Sequence, residues 1–150
     1  MTLTGPTEIL PGLFIGDATV ARDEAFFHAN NIRLVVNCTP DVPFYFDNVE
    51  KIRIDVDDTT EKIDQIIMAT ALPVVVSRIL NFRPSHLRGV LIHCYAGVSR
   101  SCTVAAAVLR TCCSTNIYQA ISMVIAVRPW AFFGGRDVNF LDALTRVYGS

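Results

Sequence analysis

Apolar and polar positions along this chain fall into short blocks, and the period of each block predicts an element. Residues 8–16, Glu-Ile-Leu-Pro-Gly-Leu-Phe-Ile-Gly, read as two short strands around a Pro-Gly turn. A helix follows over 23–29, with Asp23 and Glu24 at its positive end. Residues 32–37 form a β-branched run bounded by turn formers, which predicts a buried strand. Phe44, Tyr45 and Phe46 fall in a loop or edge segment. Residues 51–56 alternate polar with apolar, as a half-buried strand does, and the loop 57–61 breaks that pattern. Over 63–82 the apolar residues Ile63, Ile66, Ile67, Leu72, Val75, Val76, Ile79 and Leu80 keep helical spacing. Pro73 interrupts them, which predicts a kink or two abutting helices. Residues 90–93 give another strand, and 101–112 an alanine-rich helix. Asn116 is placed to cap a helix over 117–127 that stops at Arg128-Pro129. Residues 138–148 close the chain as an amphipathic helix, with Gly149 past its end.

Strands alternating with helices predict an α/β fold: a single domain, residues 1–150, with a mixed central sheet of about five strands flanked by helices. A chain of 150 residues, 51% hydrophobic, can bury one core without metals or disulfides and is too apolar to be disordered. Thirteen basic residues stand against 14 acidic ones, with no excess of positive charge to drive nucleic-acid or membrane-surface binding. The apolar runs at 103–109 and 123–127 fall short of the ~20 residues a membrane span needs. The first four residues show no basic stretch leading into an apolar one, so a soluble protein without a signal peptide is expected. Five cysteines (Cys38, Cys94, Cys102, Cys112, Cys113), an odd number without framework spacing, favour a reducing compartment, the cytoplasm or the nucleus. There is no Cys-x-x-Cys or His-x-x-x-His pair to hold zinc. The mean hydropathy of +0.39 points to a self-association surface, hence a homodimer.

The chemistry concentrates in His93-Cys94-Tyr95-Ala96-Gly97-Val98-Ser99-Arg100-Ser101, between a buried strand and the alanine-rich helix. Five residues between Cys94 and Arg100 suffice to curl a loop whose amides point inward. Gly97 permits a turn that a side chain would obstruct. The helix starting near Arg100 adds its positive end to the same hollow. Such a concavity binds a tetrahedral dianion and stabilises a thiolate nucleophile. Arg100 supplies two parallel hydrogen bonds to phosphate oxygens, which lysine does not match.

This string resembles the signature of the cysteine-dependent protein tyrosine phosphatases, His-Cys-x-x-Gly-x-x-Arg-Ser/Thr, and its fuller form resembles the dual-specificity branch. Residues 9–16 are similar to the family's opening strands, 32–37 to the strand that follows, and 54–59 to its acid-bearing loop, with Asp58 at the matching position. The resemblance implies a phosphatase-like fold and a two-step transfer through a phosphocysteine at Cys94. In it Asp58 is the general acid and then base, Ser101 eases departure of the sulfur, and His93 orients the loop and helps hold the thiolate. Tyr95, Ala96, Gly97, Val98 and Ser99 would bind phosphate together with Arg100. It implies no metal or cofactor, and a phosphorylated protein as partner. Asp57, and less so Asp55, compete with Asp58 for the acid. Cys38, after a strand expected near the loop, is either a core thiol or a redox partner of Cys94.

Two features depart from the family. Its Pro-Asn pair shortly after Arg-Pro is missing; residues 130–137 look like an insertion of about three residues that leaves Asp137 at the Asn position. The chain also shows no kinase-docking region before the catalytic segment, so it resembles the small atypical members. Phosphoinositide phosphatases with this loop carry lysines inside it, which this loop lacks. RNA 5′-triphosphatases need a basic surface, and this chain has two lysines, though 11 arginines. Those enzymes are the alternatives, and a non-catalytic phospho-binding module is the alternative of another class. Phe44, Tyr45, Phe46, Trp130, Phe132 and Phe133 are divided between pocket rim and core.

Overall fold

The computed structural model describes residues 5–83 and 88–149. Strands β1 (Thr7–Leu10) and β2 (Leu13–Gly16) pair antiparallel. The turn between them is Pro11-Gly12, and Gly12 takes φ 77, a value open to glycine at no steric cost. Strands β3 (Ile32–Asn37), β4 (Glu50–Arg53) and β5 (Gly89–His93) add in parallel, giving the order β1-β2-β5-β3-β4. The expected mixed five-stranded sheet is present.

Strand period splits the core in two. Leu13, Ile15, Leu34, Val36, Val90 and Ile92 face one way, against helices α2 (Lys62–Phe82), α3 (Arg100–Cys112), α4 (Ile117–Val127) and α6 (Leu141–Tyr148). Phe14, Val35 and Leu91 face the other, against the 3-10 turn Val20–Arg22 and helix α1 (Glu24–Ala29). Each fully buried Leu or Ile contributes roughly 1.5–3 kcal/mol. In α3 nine successive residues, Ser101 through Leu109, are buried, and the small Ala105, Ala106 and Ala107 let the helix run through the centre of the core. Caps fall as expected: Asp23 Oδ1 accepts from Phe26 N (3.0 Å), and Asn116 and Gln119 form a reciprocal capping box.

The structure departs from the sequence reading in four places. Helix α2 runs through Pro73 as one element, so of the two expectations the pair of abutting helices is the one set aside. Its buried residues Met68, Leu72, Val75, Val76 and Ile79 keep one face against the core on both sides of the proline, whose ring lies exposed. By length and composition α2 is apolar enough to cross a membrane, a run the sequence reading passed over; here its inner face is core. Strand β4 ends at Arg53 instead of continuing to residue 56: Ile54 N still donates to Asn37 O (2.9 Å), but Val56 N turns back onto Ile54 O (3.0 Å). Helix α6 begins at Leu141, three residues late, because Asn139 is pulled into a hydrogen-bond network described below. Between α4 and α6 lies α5 (Phe132–Gly135), a single turn wound left-handed, with φ of 55, 56, 73 and 83 at Phe132, Phe133, Gly134 and Gly135.

Candidate active site

β5 is flanked by β2 and β3, and Cys94 follows its last residue, at the carboxyl edge where open α/β sheets carry their sites. The loop then closes on its own sulfur. Gly97 N donates to Cys94 Sγ at 3.2 Å, and the Ser101 hydroxyl lies 3.1 Å from it. Gly97 holds φ 71, and a Cβ there would stand 2.6 Å from Arg128 Nη2 and 3.0 Å from Gly16 O, so glycine is required. Ser99 stands at the N-cap of α3, yet its side chain caps nothing. Its hydroxyl donates instead to Asp58 Oδ1 at 2.6 Å. Among the described residues the amides of Ala96, Val98 and Ser99 donate to no backbone carbonyl, which leaves them for an anion.

The other side of the site is built by the 54–59 loop. Arg100 Nη1 donates to Val56 O (3.0 Å), spanning from phosphate loop to acid loop, and its buried Nε has no partner among the described residues. Asp58 receives both of its bonds on Oδ1, from Ser99 and from Asn139 Nδ2 (3.0 Å), which leaves Oδ2 for substrate. Asp64, early in α2, accepts from Asp57 N and from the Thr59 hydroxyl and so fixes the loop on either side of Asp58. The carboxylates of Asp57 and Asp55, both exposed, make no contact with the phosphate loop among the described residues.

His93 is fully buried, with Nδ1 3.4 Å from Cys94 O. Burial lowers its pKa to about 4, and the hydrogen bond to Cys94 only partly offsets this. The imidazole is therefore neutral at pH 7; it touches the Cys94 carbonyl and brings no charge to the sulfur. Cys38 lies at the end of β3, its amide donating to His93 O (2.8 Å), and burial pushes its thiol pKa well up. Of the six aromatics, Phe132 is core, and Phe44 and Phe46 pack against the second cluster. Tyr45 lines one hollow beside the loop, and Trp130 and Phe133 line another.

Four residues with a structural hand in the site were not singled out in the sequence: Asp64, Gln65, Arg128 and Asn139. Arg128 is fully buried and forms no ion pair among the described residues. Its Nε donates to Gly97 O (2.7 Å), and its Nη1 to Gly5 O (2.8 Å) and the Thr7 hydroxyl (2.7 Å), tying the loop to the first strand. Trp130 lies against the same guanidinium, 5.1 Å from carbon to ring centre. Asn139 holds Asp58, and Gln65 Nε2 holds Asn139 O in turn (2.9 Å). The residue that reaches the acid loop is thus Asn139, two positions beyond the Asp137 that the sequence reading set at the family's Asn position. The left-handed turn, closed by Phe132 N donating to Val98 O (2.6 Å), reverses the chain so that the later residue arrives at the acid loop. Only a three-dimensional path shows this.

A loop of inward amides, a sulfur at its centre, and a carboxylate and guanidinium at its rim are the parts of a cysteine-based phosphate-ester site. Residues 13–145 match the family described as dual specificity phosphatase, catalytic domain, and the chain belongs to it. The chain is 37% identical over 125 residues to the dual specificity protein phosphatase Mpk3 of Drosophila melanogaster, covering 83% of this chain and 30% of that protein. It is 30% identical to human dual specificity protein phosphatase 6 over 119 residues, 79% of this chain and 31% of that one. The chain thus spans about a third of these relatives' length. Among solved structures, human DUSP28 superposes with a TM-score of 0.81 at 23% identity, over 95% of this chain and 92% of that one. A human tyrosine phosphatase-like serine/threonine/tyrosine-interacting protein gives 0.76 at 21%, over 94% and 93%. At these identities the two structures speak for the fold, and the residues must speak for the chemistry.

Proposed function

We propose that this protein is a protein phosphatase that hydrolyses phosphotyrosine and phosphoserine/phosphothreonine esters through a phosphocysteine. The observation that carries this is the Cys94 sulfur held between Gly97 N and the Ser101 hydroxyl while Asp58 is docked on the same loop by Ser99. In the first step the Cys94 thiolate attacks phosphorus and the bond to the ester oxygen breaks. Asp58 gives that oxygen its proton. Loop amides and Arg100 hold the three equatorial oxygens, where charge resides in the transition state. In the second step Asp58, now a carboxylate, takes a proton from water as the water attacks phosphorus. The S–P bond breaks, inorganic phosphate leaves, and the Ser101 hydroxyl donates to the returning thiolate. His93 and Arg128 shape the loop from behind.

Sequence similarity to dual specificity protein phosphatases supports the substrate class, a phosphorylated protein. The variable loop positions Tyr95, Ala96, Val98 and Ser99 include no lysine to hold the further phosphates of an inositol lipid. The cysteine usage favours a reducing compartment such as the cytoplasm. The test is an aryl phosphate assay followed by a panel of phosphopeptides, phosphoinositides and 5′-triphosphate RNA on wild type and Cys94→Ser. Phosphopeptide hydrolysis abolished by Cys94→Ser is the expected result. Turnover of RNA or lipid alone would move the substrate class, and an inert wild type that still binds phosphopeptide would make this a binding module.

A further inference from the structure

Two hollows border the phosphate loop. One, at Val98, is walled by Pro129, Trp130 and Phe133, and its only cation, Arg136, already donates from Nε to Phe133 O (2.9 Å). The other, about 480 Å³, opens at Tyr95 and Ala96 and is lined by Asp17, Thr19, Arg22 and Tyr45. Its wall is fixed relative to the nucleophile, because Ala18 N donates to Tyr95 O at 3.0 Å, one residue after Cys94.

The charges in this second hollow are arranged unequally. Asp17 is buried, and both its oxygens are engaged, Oδ2 by the Thr19 hydroxyl (3.0 Å) and Oδ1 by Val20 N (2.9 Å). Asp23, next to Arg22 in the chain, is engaged in capping α1. Arg22 itself is exposed; its amide donates to Thr19 O (3.3 Å), but its guanidinium has no ion pair or hydrogen bond among the described residues. Tyr45 and Tyr95, 44% and 70% exposed, place two phenols around the same space. A guanidinium that pairs with neither neighbouring carboxylate, each of which is turned onto its own backbone and hydroxyl donors, and that is flanked by phenols is complementary to a carboxylate brought by a substrate.

Resting on the phosphatase reading above, we propose that this groove is a substrate subsite for an acidic side chain flanking the phosphoresidue, paired with Arg22. Because the groove meets the loop only at Tyr95 and Ala96, the preference falls on one side of the phosphoresidue in the substrate sequence.

The experiment scans Glu, Ala and Lys through three positions on each side of the phosphoresidue in one peptide, assayed on wild type, Arg22→Ala and Arg22→Glu. Each enzyme is read by its ratio of kcat/KM between peptides, which a general loss of activity or folding does not move. Wild type should prefer Glu over Ala about three- to fivefold on one side, chiefly through KM, as one exposed charge pair allows. Arg22→Ala should level the ratio and Arg22→Glu should turn it towards Lys. Equal rates on all peptides in wild type, or an unchanged Glu preference in Arg22→Glu, overturn the subsite. If the aryl phosphate is hydrolysed in that case, the phosphatase reading stands alone; if it is not, both fall together.

Discussion

The loop 94–100 and the segment 128–139 meet at two bonds, from Arg128 to Gly97 O and from Phe132 N to Val98 O, yet they are built by opposite means. In the loop, backbone amides must converge on one point, so Cys94, Gly97, Ser99 and Arg100 are neighbours in sequence. In the segment, what matters is where the chain ends up. Its left-handed turn places two phenylalanines at positive φ, at a cost of roughly 1–2 kcal/mol each. Full burial of Phe132 and the bond to Val98 hold it there. The difference teaches that a reactive loop is local and its brace is not.

If that division holds, substitutions in or on the loop should cost far more activity than those in the brace. The largest effect is expected at Asp58: replacement by Ala should lower kcat by about 10²–10⁴-fold on alkyl phosphates, whose leaving oxygens need the proton. Asn139→Ala leaves Asp58 its bond from Ser99 and should cost about tenfold or less, while Asp57→Ala should cost little. Equal losses for Asp58→Ala and Asn139→Ala would erase the distinction between actor and brace. A larger loss at Asp57 would move the acid.

Next in size is Gly97→Ala. The new Cβ would meet Arg128 Nη2 at 2.6 Å and the backbone of Gly16 at 3.0 Å, at a φ of 71 that alanine resists. The loop must shift, and a displacement approaching 1 Å at reacting atoms costs about 10²-fold. Steady-state kcat/KM beside the thermal midpoint would show whether activity is lost beyond what stability explains.

How much of this was legible beforehand follows the same line. Cys94, Arg100, Ser101 and Gly97 could be read because each stands at a fixed offset in one string, and the strands and helices because each carries its own period. Asp58 could be placed only by likeness, since an acid in an Asp-rich loop has no local mark of its role. Arg128 reads in sequence as a helix stop before proline; that it is fully buried and bonded to Gly97, 31 residues away, is a tertiary fact. Ser99 was legible as part of the phosphate loop but not as the hydroxyl that docks Asp58, 41 positions off. Pro73 does not split α2 in two, because packing of the helix's inner face outweighs one missing hydrogen bond.

Arg128 tests the brace directly. Arg128→Lys keeps a charge but cannot donate at once to Gly97 O, Gly5 O and the Thr7 hydroxyl. Leaving buried carbonyls without donors should cost about 2–3 kcal/mol in chemical denaturation. Activity should fall about tenfold at a temperature where the variant is still folded, because the loop is loosened from behind. A stability loss without any change in kcat/KM would make Arg128 a fastener of the first strand only, with no hand in the loop's geometry.

The effect expected to touch activity least is on stability against pH, and it separates the two regions by a different property. His93, at the root of the loop, has its pKa lowered from 6.5 to about 4 by burial, whereas the segment 128–139 carries no histidine. The unfolded chain therefore takes up a proton at this residue near pH 6.5, and the folded protein only near pH 4. Between those values the unfolded state binds more protons, so stability falls as pH falls, beginning below about 6.5 and levelling near 4, by about 3 kcal/mol in all. Other groups add their own acid dependence, so the informative quantity is a difference. His93→Asn should flatten the decline across that window relative to wild type, whereas Asn139→Ala should shift the whole curve without changing its slope. Were His93→Asn to leave the slope intact, the imidazole would be protonating in the folded protein as it does in the open chain, and the buried neutral ring beneath the loop would have to be abandoned.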